Sequence, residues 1–246
     1  MQKIEINWQE LPYALREEMK VLRTNLKFSG ADKRVIMMTS AASHEGKSSV
    51  CLNLCVSLAE LGHRVLLVDA DMRKSMLKHK VKRGDVSVGL SHFLSGQRSL
   101  DSVFCETDNP LVFLVPAGAA PPNPSELLNG QYMTDLIKWA RDQFDYVIVD
   151  CPPLGLVTDA AVVAPVCDGA IILLEWGAIR YTMAQEVLLR LRTTQVPILG
   201  VIMNKVDVSS GRYYRRYGYG KYGYSRYSYG KYGRYGYGKY GYYKEY

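Results

Sequence analysis

The chain has 246 residues, and its 48% hydrophobic and 22% charged residues are an ordinary balance for a globular protein with a full core. No apolar run approaches the roughly 18 residues of a membrane-spanning helix, and the N-terminus lacks the apolar segment of a signal peptide. Five cysteines are an odd number without the spacing of a disulfide framework, so they predict reduced thiols in a cytoplasmic protein.

Positive charge and tyrosine are concentrated at the C-terminus. Residues 211–246 hold 15 of the 19 tyrosines, together with 9 glycines, 9 lysines or arginines and one glutamate, which gives this tail a net charge of +8. Because the whole chain carries +7, the preceding residues carry −1. A nearly neutral body argues against nucleic acid as a partner of the fold. The tail lacks aliphatic side chains, so we predict that it is disordered.

The body alternates short apolar runs, rich in β-branched residues, with helical patterns. The predicted strands are Arg34–Ser40, Arg64–Asp69, Leu111–Pro116, Tyr146–Asp150, Gly169–Glu175 and Pro197–Asn204. The predicted helices are one that starts near Pro12, with a stripe of Leu15, Met19, Leu22 and Leu26, then Lys47–Leu61, with an apolar face of Val50, Leu54, Leu58 and Leu61, and Tyr181–Thr193. This pattern predicts a doubly wound, mostly parallel α/β sheet with its site at the carboxyl ends of the strands.

The segment SAASHEGKS, at positions 40–48, lies between a predicted strand and a predicted helix, which is the context of a phosphate-binding loop. Backbone N–H groups of such a loop cradle phosphates, its lysine adds a positive charge, and the following hydroxyl binds Mg²⁺. Ala41 replaces the usual first glycine. The predicted nucleotide contacts are Ser43, His44, Glu45, Gly46, Lys47, Ser48 and Ser49.

Aspartates end two of the predicted strands. In the run LLVDADMR, Asp69 and Asp71 are two residues apart at a strand end and can point to the same side, and Arg73 follows them. In the run VIVDCPP, Asp150 has the usual position of a second anchor for nucleotide-bound Mg²⁺. Together with the loop, these carboxylates predict a P-loop NTPase, with one carboxylate at the metal and another at the nucleophile.

Asn204 and Asp207 follow the last predicted strand, in the run MNKVD. An amide and a carboxylate at this place could read the edge of a base, and the pattern NKxD resembles the guanine-reading motif of GTPases. The alternative is an ordinary turn at the end of a strand. At this point the sequence leaves the choice between ATP and GTP open.

As a set, these motifs resemble the bacterial tyrosine kinases of capsule and exopolysaccharide synthesis (BY-kinases), a P-loop family of the MinD/ParA-like superfamily. HEGKSS resembles the family's Walker A motif, LLVDADMR its second acidic motif and VIVDCPP its Walker B motif. The runs GLSHFLSG (89–96) and PPNPSELL (121–128) and the tyrosine-rich C-terminus also resemble family signatures. The resemblance covers residues 12–207 and the tail. It suggests three parts, which are an interface helix and lead-in (1–33), a kinase domain (34–210) and a phospho-acceptor tail (211–246).

The resemblance implies an ATP-dependent protein-tyrosine autokinase that uses Mg²⁺, with Asp69 as acceptor of the tyrosine proton. The implied catalytic residues are Lys47, Asp69, Asp71 and Asp150, and the implied metal ligands are Ser48, Asp71 and Asp150. Arg73, Asn204 and Asp207 are added to the nucleotide contacts of the loop. The predicted phospho-acceptors are Tyr213, Tyr214, Tyr217, Tyr219, Tyr222, Tyr224, Tyr227, Tyr229, Tyr232, Tyr235, Tyr237, Tyr240, Tyr242, Tyr243 and Tyr246.

The resemblance also implies partners. The family's tyrosines enter the site of a neighbouring subunit within a ring, whose interface helix carries Glu-x-x-Arg-x-x-Arg; the matching residues are Glu17, Lys20 and Arg23. Lys20 cannot form the bidentate contact of an arginine. A separate membrane protein of the polysaccharide co-polymerase type would activate the kinase and hold it at the inner face of the plasma membrane. The positive tail predicts an acidic rim around the site.

Two departures from family patterns bear on function. His44 stands where the family usually has glycine, and Ala42 stands where MinD/ParA-type ATPases carry a signature lysine. The missing lysine argues against a nucleotide-sandwich dimer. Two alternatives stay open: a regulatory P-loop ATPase that uses water as acceptor, and a module whose tail binds RNA or anionic lipid.

Overall fold

The computed structural model describes residues 2–206, which belong to one compact unit. The predicted disordered tail, its tyrosines and Asp207 lie outside the described residues. The strands are β1 (Gln2–Lys3), β2 (Glu5–Ile6), β3 (Val35–Ser40), β4 (Val65–Asp69), β5 (Val81–Arg83), β6 (Cys105–Glu106), β7 (Val112–Val115), β8 (Tyr146–Asp150), β9 (Gly169–Glu175) and β10 (Ile198–Asn204).

Helices cover both sides of the sheet. They are α1 (Tyr13–Phe28), α2 (Lys47–Ala59), α3 (Leu90–Leu94), α4 (Leu100–Val103), α5 (Pro124–Leu128), α6 (Gln131–Gln143), α7 (Asp159–Val163) and α8 (Tyr181–Arg192), with 3₁₀ turns at Leu77–Lys80 and Ala164–Val166. Within residues 2–206, no helix is both long enough and apolar enough to cross a bilayer.

The sheet confirms the predicted doubly wound, mostly parallel architecture. Its order is β1-β6-β7-β4-β8-β3-β9-β10, and among these neighbours only β6 and β7 are antiparallel within the described residues. All six predicted strands are present, with ends within one residue of the prediction. The sequence analysis missed β1, β2, β5 and β6, because strands of two or three residues are too short to show a period.

Consecutive residues of the central strands face opposite layers of the core. Met37 and Leu66 pack in one hydrophobic cluster, whereas Met38 and Leu67 pack in the other, and all four are fully buried. This alternation explains why the strands are apolar throughout, since each face of the sheet is covered.

Two predicted apolar faces are only partly buried. α2 begins at Lys47 as predicted but ends at Ala59, so Leu61 lies beyond the helix and is 55% exposed. In α1, Leu26 is buried, but Leu15 is 48% exposed. The apolar stripe of α1 therefore packs on the body toward the C-terminal end of the helix and leaves the first turns open to a partner or to solvent.

Asp168 fastens the start of the central strand β3. Its carboxylate accepts hydrogen bonds from the backbone N–H groups of Arg34 (3.0 Å) and Val35 (2.8 Å) and from both terminal nitrogens of Arg141 (2.8 Å each). Burial by itself would raise the pKa of Asp168, but the hydrogen bonds from Arg141 and the backbone outweigh it and lower that pKa. The stabilisation therefore depends on the ionised carboxylate.

We expect Asp168→Asn to lower the free energy of unfolding by about 1–3 kcal/mol at pH 7. The lowered pKa means that the stabilisation is present above the ordinary aspartate pKa of about 3.9 and is lost as the pH falls through the folded-state value. Urea unfolding at pH 7 and at pH 3 should therefore show a deficit that shrinks in acid. Asp142→Asn, on the exposed face of α6, is the control; equal deficits at both pH values would contradict the assignment.

Candidate active site

The phosphate-binding loop joins β3 to α2, as predicted. Because α2 begins at Lys47, the N–H groups of its first turn have no partners within the helix and are available to an anion. Gly46 precedes it with a φ of +97°, in the left-handed region, and a Cβ there would lie 2.3 Å from Nδ2 of Asn204. The left-handed φ therefore favours glycine at position 46, and a Cβ there would displace the amide of Asn204.

Lys47 lies deep in the site, only 8% exposed. Its Nζ is 3.6 Å from Oδ1 of Asp150 and 4.0 Å from Oδ2 of Asp71. Burial by itself would lower the pKa of Lys47, but the charges of Asp150 and Asp71 outweigh burial and raise it. The ammonium is therefore charged when it meets a phosphate.

The structure brings the three predicted aspartates together at the carboxyl ends of adjacent strands. Asp69 of β4 and Asp150 of β8 are register partners, and Asp71 follows two residues after β4. All three are less than 9% exposed. The pKa of Asp69 is raised, first by burial and then by the negative charge of Asp150. Burial also raises the pKa of Asp150, although the positive charge of Lys47 opposes that shift.

Asp69 and Asp150 differ in their hydrogen bonds. Oδ2 of Asp69 accepts from the hydroxyl of Ser75 (2.5 Å), and its Oδ1 accepts from the N–H of Asp71 (3.2 Å). By contrast, neither oxygen of Asp150 has a donor within hydrogen-bond distance among the described residues, although Ser48 and Lys47 lie close enough to lower its pKa against the effect of burial. A buried carboxylate without donors is costly unless a cation or a ligand completes it.

The residues present fit a Mg²⁺ ion that is shared with a nucleotide. Ser48 lies buried in the first turn of α2, next in sequence to Lys47, and Asp71 and Asp150 supply carboxylate oxygens near Lys47. Within residues 2–206, no group of three or more His, Cys, Asp or Glu side chains forms a metal site of its own. Mg²⁺ usually binds through one or two carboxylates, water and substrate phosphates, which a pair of aspartates and a hydroxyl can complete.

The side chain of Arg73, a predicted nucleotide contact, is bound to other residues of the chain. Its guanidinium makes a bidentate pair with Asp159, from Nε (2.7 Å) and Nη2 (3.0 Å), and Nη2 also donates to the hydroxyl of Ser125 (3.1 Å). That hydroxyl in turn donates to Asp159, which is fully buried. The sequence analysis did not single out Asp159, and its only signal for Ser125 was the run PPNPSELL.

Two predicted nucleotide contacts have their side chains turned toward the protein. Glu45 is only 2% exposed, and its carboxylate accepts from the backbone N–H groups of Ala42 and Glu175, so it braces the loop. The amide of Asn204 donates to the carbonyl of Glu45. Both side chains therefore bind other groups of the chain itself. Asp207, the predicted partner of Asn204 in base reading, lies outside the described residues.

A cavity of about 140 Å³ opens beside Lys47 and Asp71. Five of its lining residues are apolar and three are lysine or arginine, of which Lys47 and Arg73 are paired with aspartates. The lining residues are Ser43, His44, Lys47, Asp71, Arg73, Lys74, Met76, Pro152, Pro153, Leu156 and Val157. Asp71 is the one acidic residue among its described lining residues and lies beside Lys47, so the acidic rim around the site stays a prediction.

Fold and site together define a P-loop nucleotide-binding protein, and comparison with known proteins narrows the class. The family model described as an AAA domain matches residues 33–195. Tyrosine-protein kinase CpsD of Streptococcus agalactiae is 37% identical over 222 residues, which is 89% of this chain and 97% of that protein. The chain belongs to the bacterial tyrosine kinase family.

Solved structures agree with this placement. The kinase domain of the Escherichia coli tyrosine kinase ETK matches with a TM-score of 0.72 and 30% identity, over 85% of this chain and 80% of that one. The septum site-determining protein MinD of Pyrococcus horikoshii OT3, solved in complex with Mg-ADP, matches with a TM-score of 0.62 and 28% identity, over 72% of each chain. The predicted relation to MinD-type P-loop NTPases is confirmed.

We expect Arg73→Lys to lower the free energy of unfolding by about 1–2 kcal/mol, because lysine cannot donate twice to the buried Asp159; the partial exposure of Arg73 keeps the loss below that of a fully buried pair. Urea unfolding measures it. Arg98→Lys, an exposed arginine of a surface turn, is the matched control and should change stability by less than about 0.5 kcal/mol. Equal effects of the two substitutions would show that the bidentate pair contributes nothing.

Proposed function

We propose that this chain is an ATP-dependent protein-tyrosine autokinase that phosphorylates the tyrosines of its own C-terminal tail in trans, in the control of capsule or exopolysaccharide synthesis. The observation that supports it most is the meeting of Lys47 with three buried aspartates at the ends of adjacent strands, above a loop with free N–H groups. The tyrosine-kinase names of its relatives and the tyrosine-rich tail indicate that tyrosine hydroxyls accept the phosphate.

In this proposal the loop and Lys47 bind the β- and γ-phosphates of ATP. Ser48, Asp71 and Asp150 hold Mg²⁺, which neutralises phosphate charge when bound. A bond forms between the tyrosine oxygen and the γ-phosphorus, the bond from that phosphorus to the bridging oxygen breaks, and ADP leaves. The positive charge of Lys47 stabilises the phosphate oxygens during transfer.

The tyrosine proton needs an acceptor, because a tyrosine hydroxyl has a pKa of about 10. We assign this role to Asp69, whose carboxylate lies at the end of β4 beside Asp150. Asp69 is only 1% exposed and accepts from Ser75, whereas Asp71 lines the cavity, so Asp71 is the second candidate for the same role.

Phosphorylation changes the tail more than any other part of the chain. Each phosphate adds about −1.5 to −2 charge, so four or five would neutralise a tail of net charge +8. Because three buried aspartates, Asp69, Asp71 and Asp150, outnumber Lys47 at the strand ends, the positive unmodified tail would be attracted to the site and a phosphorylated tail repelled. We therefore expect modified tyrosines to leave the site readily.

A mixing experiment tests transfer between subunits. Full-length Lys47→Met supplies the tail, a chain ending at Ser210 supplies the site, and γ-labelled ATP with Mg²⁺ supplies the phosphate. We expect labelled tyrosine on Lys47→Met only when the shortened chain is present. Without the shortened chain, the label on Lys47→Met should be at least about 100-fold lower than the label on the wild-type chain. Lys138→Met, an exposed lysine of α6, is the matched control.

Other outcomes have definite meanings. Release of phosphate without labelled protein would contradict the autokinase and indicate a regulatory ATPase. Salt-sensitive binding of RNA or anionic lipid by the tail, independent of Lys47 and without label, would indicate the binding module. Asp69→Asn and Asp71→Asn in the shortened chain compare the two candidate bases.

We further propose that subunits associate into a ring through α1. The predicted interface residues lie on this helix, where Glu17 and Lys20 form an ion pair (2.7 Å), while Arg23 donates to Ser57 and Glu60 of the same chain. Tyr13, Leu15 and Val21 are exposed on the same helix, as expected for a contact surface; the exposed fractions are 71%, 48% and 52%. A separate membrane protein would activate the ring and hold it at the inner face of the plasma membrane.

Lys20→Arg should strengthen association, because arginine can contact a carboxylate with two donors. We expect a roughly 3- to 10-fold lower dissociation constant by sedimentation at several protein concentrations, and a higher one for Glu17→Ala. Lys138→Arg makes the same change on α6, outside the predicted interface helix, and should leave the constant unchanged. If none of the variants alters the concentration dependence, α1 is not the interface.

A further inference from the structure

The end of the last strand is bound directly to the phosphate-binding loop. Nδ2 of Asn204 donates to the carbonyl of Glu45 (2.8 Å), and Nζ of Lys205 donates to the carbonyl of His44 (2.8 Å). Lys205 also pairs with the carboxylate of Glu175 at the end of β9 (2.7 Å). We call this set of contacts the loop clasp.

Glu45 completes the loop clasp from within the loop. Its buried carboxylate accepts from the N–H of Ala42 (2.6 Å) and from the N–H of Glu175 (2.9 Å). The loop is therefore held at the carbonyls of His44 and Glu45 and at the buried side chain of Glu45. A buried carboxylate is tolerated here because each of its oxygens has a donor.

The backbone conformations at these contacts are unusual. His44 and Lys205 both have positive φ, +66° and +55°, and Gly46 has +97°. A left-handed residue other than glycine persists only when its surroundings hold it there, at a cost on the order of 1–3 kcal/mol. The contact between Lys205 and the carbonyl of His44 joins two such residues, so the loop clasp supplies the restraint that both require.

The direction of the loop carbonyls decides whether the loop can bind an anion. A carbonyl oxygen facing a phosphate repels it, whereas an N–H group attracts it. With the carbonyls of His44 and Glu45 bound by Lys205 and Asn204, the neighbouring N–H groups are left for the ligand. The same packing places the amide of Asn204 against Gly46, beside the phosphate end of the site.

We propose that Asn204 and Lys205 are positioning residues of the phosphate-binding loop, and that Asn204 does not read the base. They act through the loop backbone and set its affinity for any Mg²⁺-bound polyphosphate, with or without a base. The inference rests on the proposed nucleotide site. It goes beyond that proposal because it assigns to Asn204 and Lys205 a role in phosphate affinity that does not depend on whether the base is adenine or guanine.

The test compares ligands with and without a base, using the full chain. Calorimetry measures the dissociation constants of Mg-ADP, Mg-GDP and Mg-pyrophosphate for wild type, Asn204→Ala and Lys205→Met. We expect Asn204→Ala to weaken all three by the same factor, about 5- to 30-fold, because a donor to a carbonyl is lost. Lys205→Met should weaken them by about 3- to 10-fold, since Lys205 is partly exposed.

Two further variants serve as controls for Lys205→Met. Lys205→Arg retains a charged donor and should recover most of the affinity, and Lys82→Met, an exposed lysine of β5, should bind like wild type. If Asn204→Ala does not fold, as judged by its unfolding transition without ligand, Lys205→Met and Lys205→Arg decide the matter.

The outcomes separate this inference from the proposed function. Weaker Mg-ADP with unchanged Mg-pyrophosphate, or an altered ratio of ADP to GDP affinity, would overturn the positioning role and restore base reading. Wild type that binds Mg-ADP, together with variants that bind all three ligands normally, would overturn the inference alone. Wild type that binds none of the ligands would overturn the proposed function and this inference with it.

Discussion

The chemistry of this protein depends on buried like charges that are held together at one edge of a parallel sheet. Asp69 and Asp150 are register partners on adjacent strands, which run about 4.8 Å apart. Two buried carboxylates at that spacing repel each other, and Lys47 offsets only part of the repulsion. Such an arrangement is retained when a ligand completes it, because the missing charge and hydrogen bonds then come from that ligand.

The sheet supplies the rigidity that this arrangement needs. Residues of β3, β4 and β8 alternate between two packed layers, so a shift by one residue would move each side chain into the opposite layer and disrupt the packing of both. Asp168 fastens the start of β3 to β9 and α6, and the loop clasp fastens the opposite end of the same region. The site is therefore built on strand ends whose positions are fixed by the core.

The fold was largely predictable because its signals are local and repeated. The six apolar runs, the helix that starts at Lys47 and the glycine before it follow from hydrophobic pattern and turn chemistry alone. The short strands β1, β2, β5 and β6 were not, because they carry no period of their own. Leu61 and Leu15 show the limit of periodicity, which predicts a helix face but not where the neighbouring element ends.

The sequence by itself determined the class of the fold, the phosphate-binding loop, the acidic residues at the strand ends and the tyrosine-rich tail. Each of these can be recognised from a short run of contiguous residues. Only the tertiary structure decided what those residues touch. It paired Arg73 with Asp159, turned Glu45 inward and brought Asn204 and Lys205 against the loop. The contacts of Arg73, Asn204 and Lys205 join residues 86, 159 and 161 positions apart, where the packing of the sheet decides which residues become neighbours.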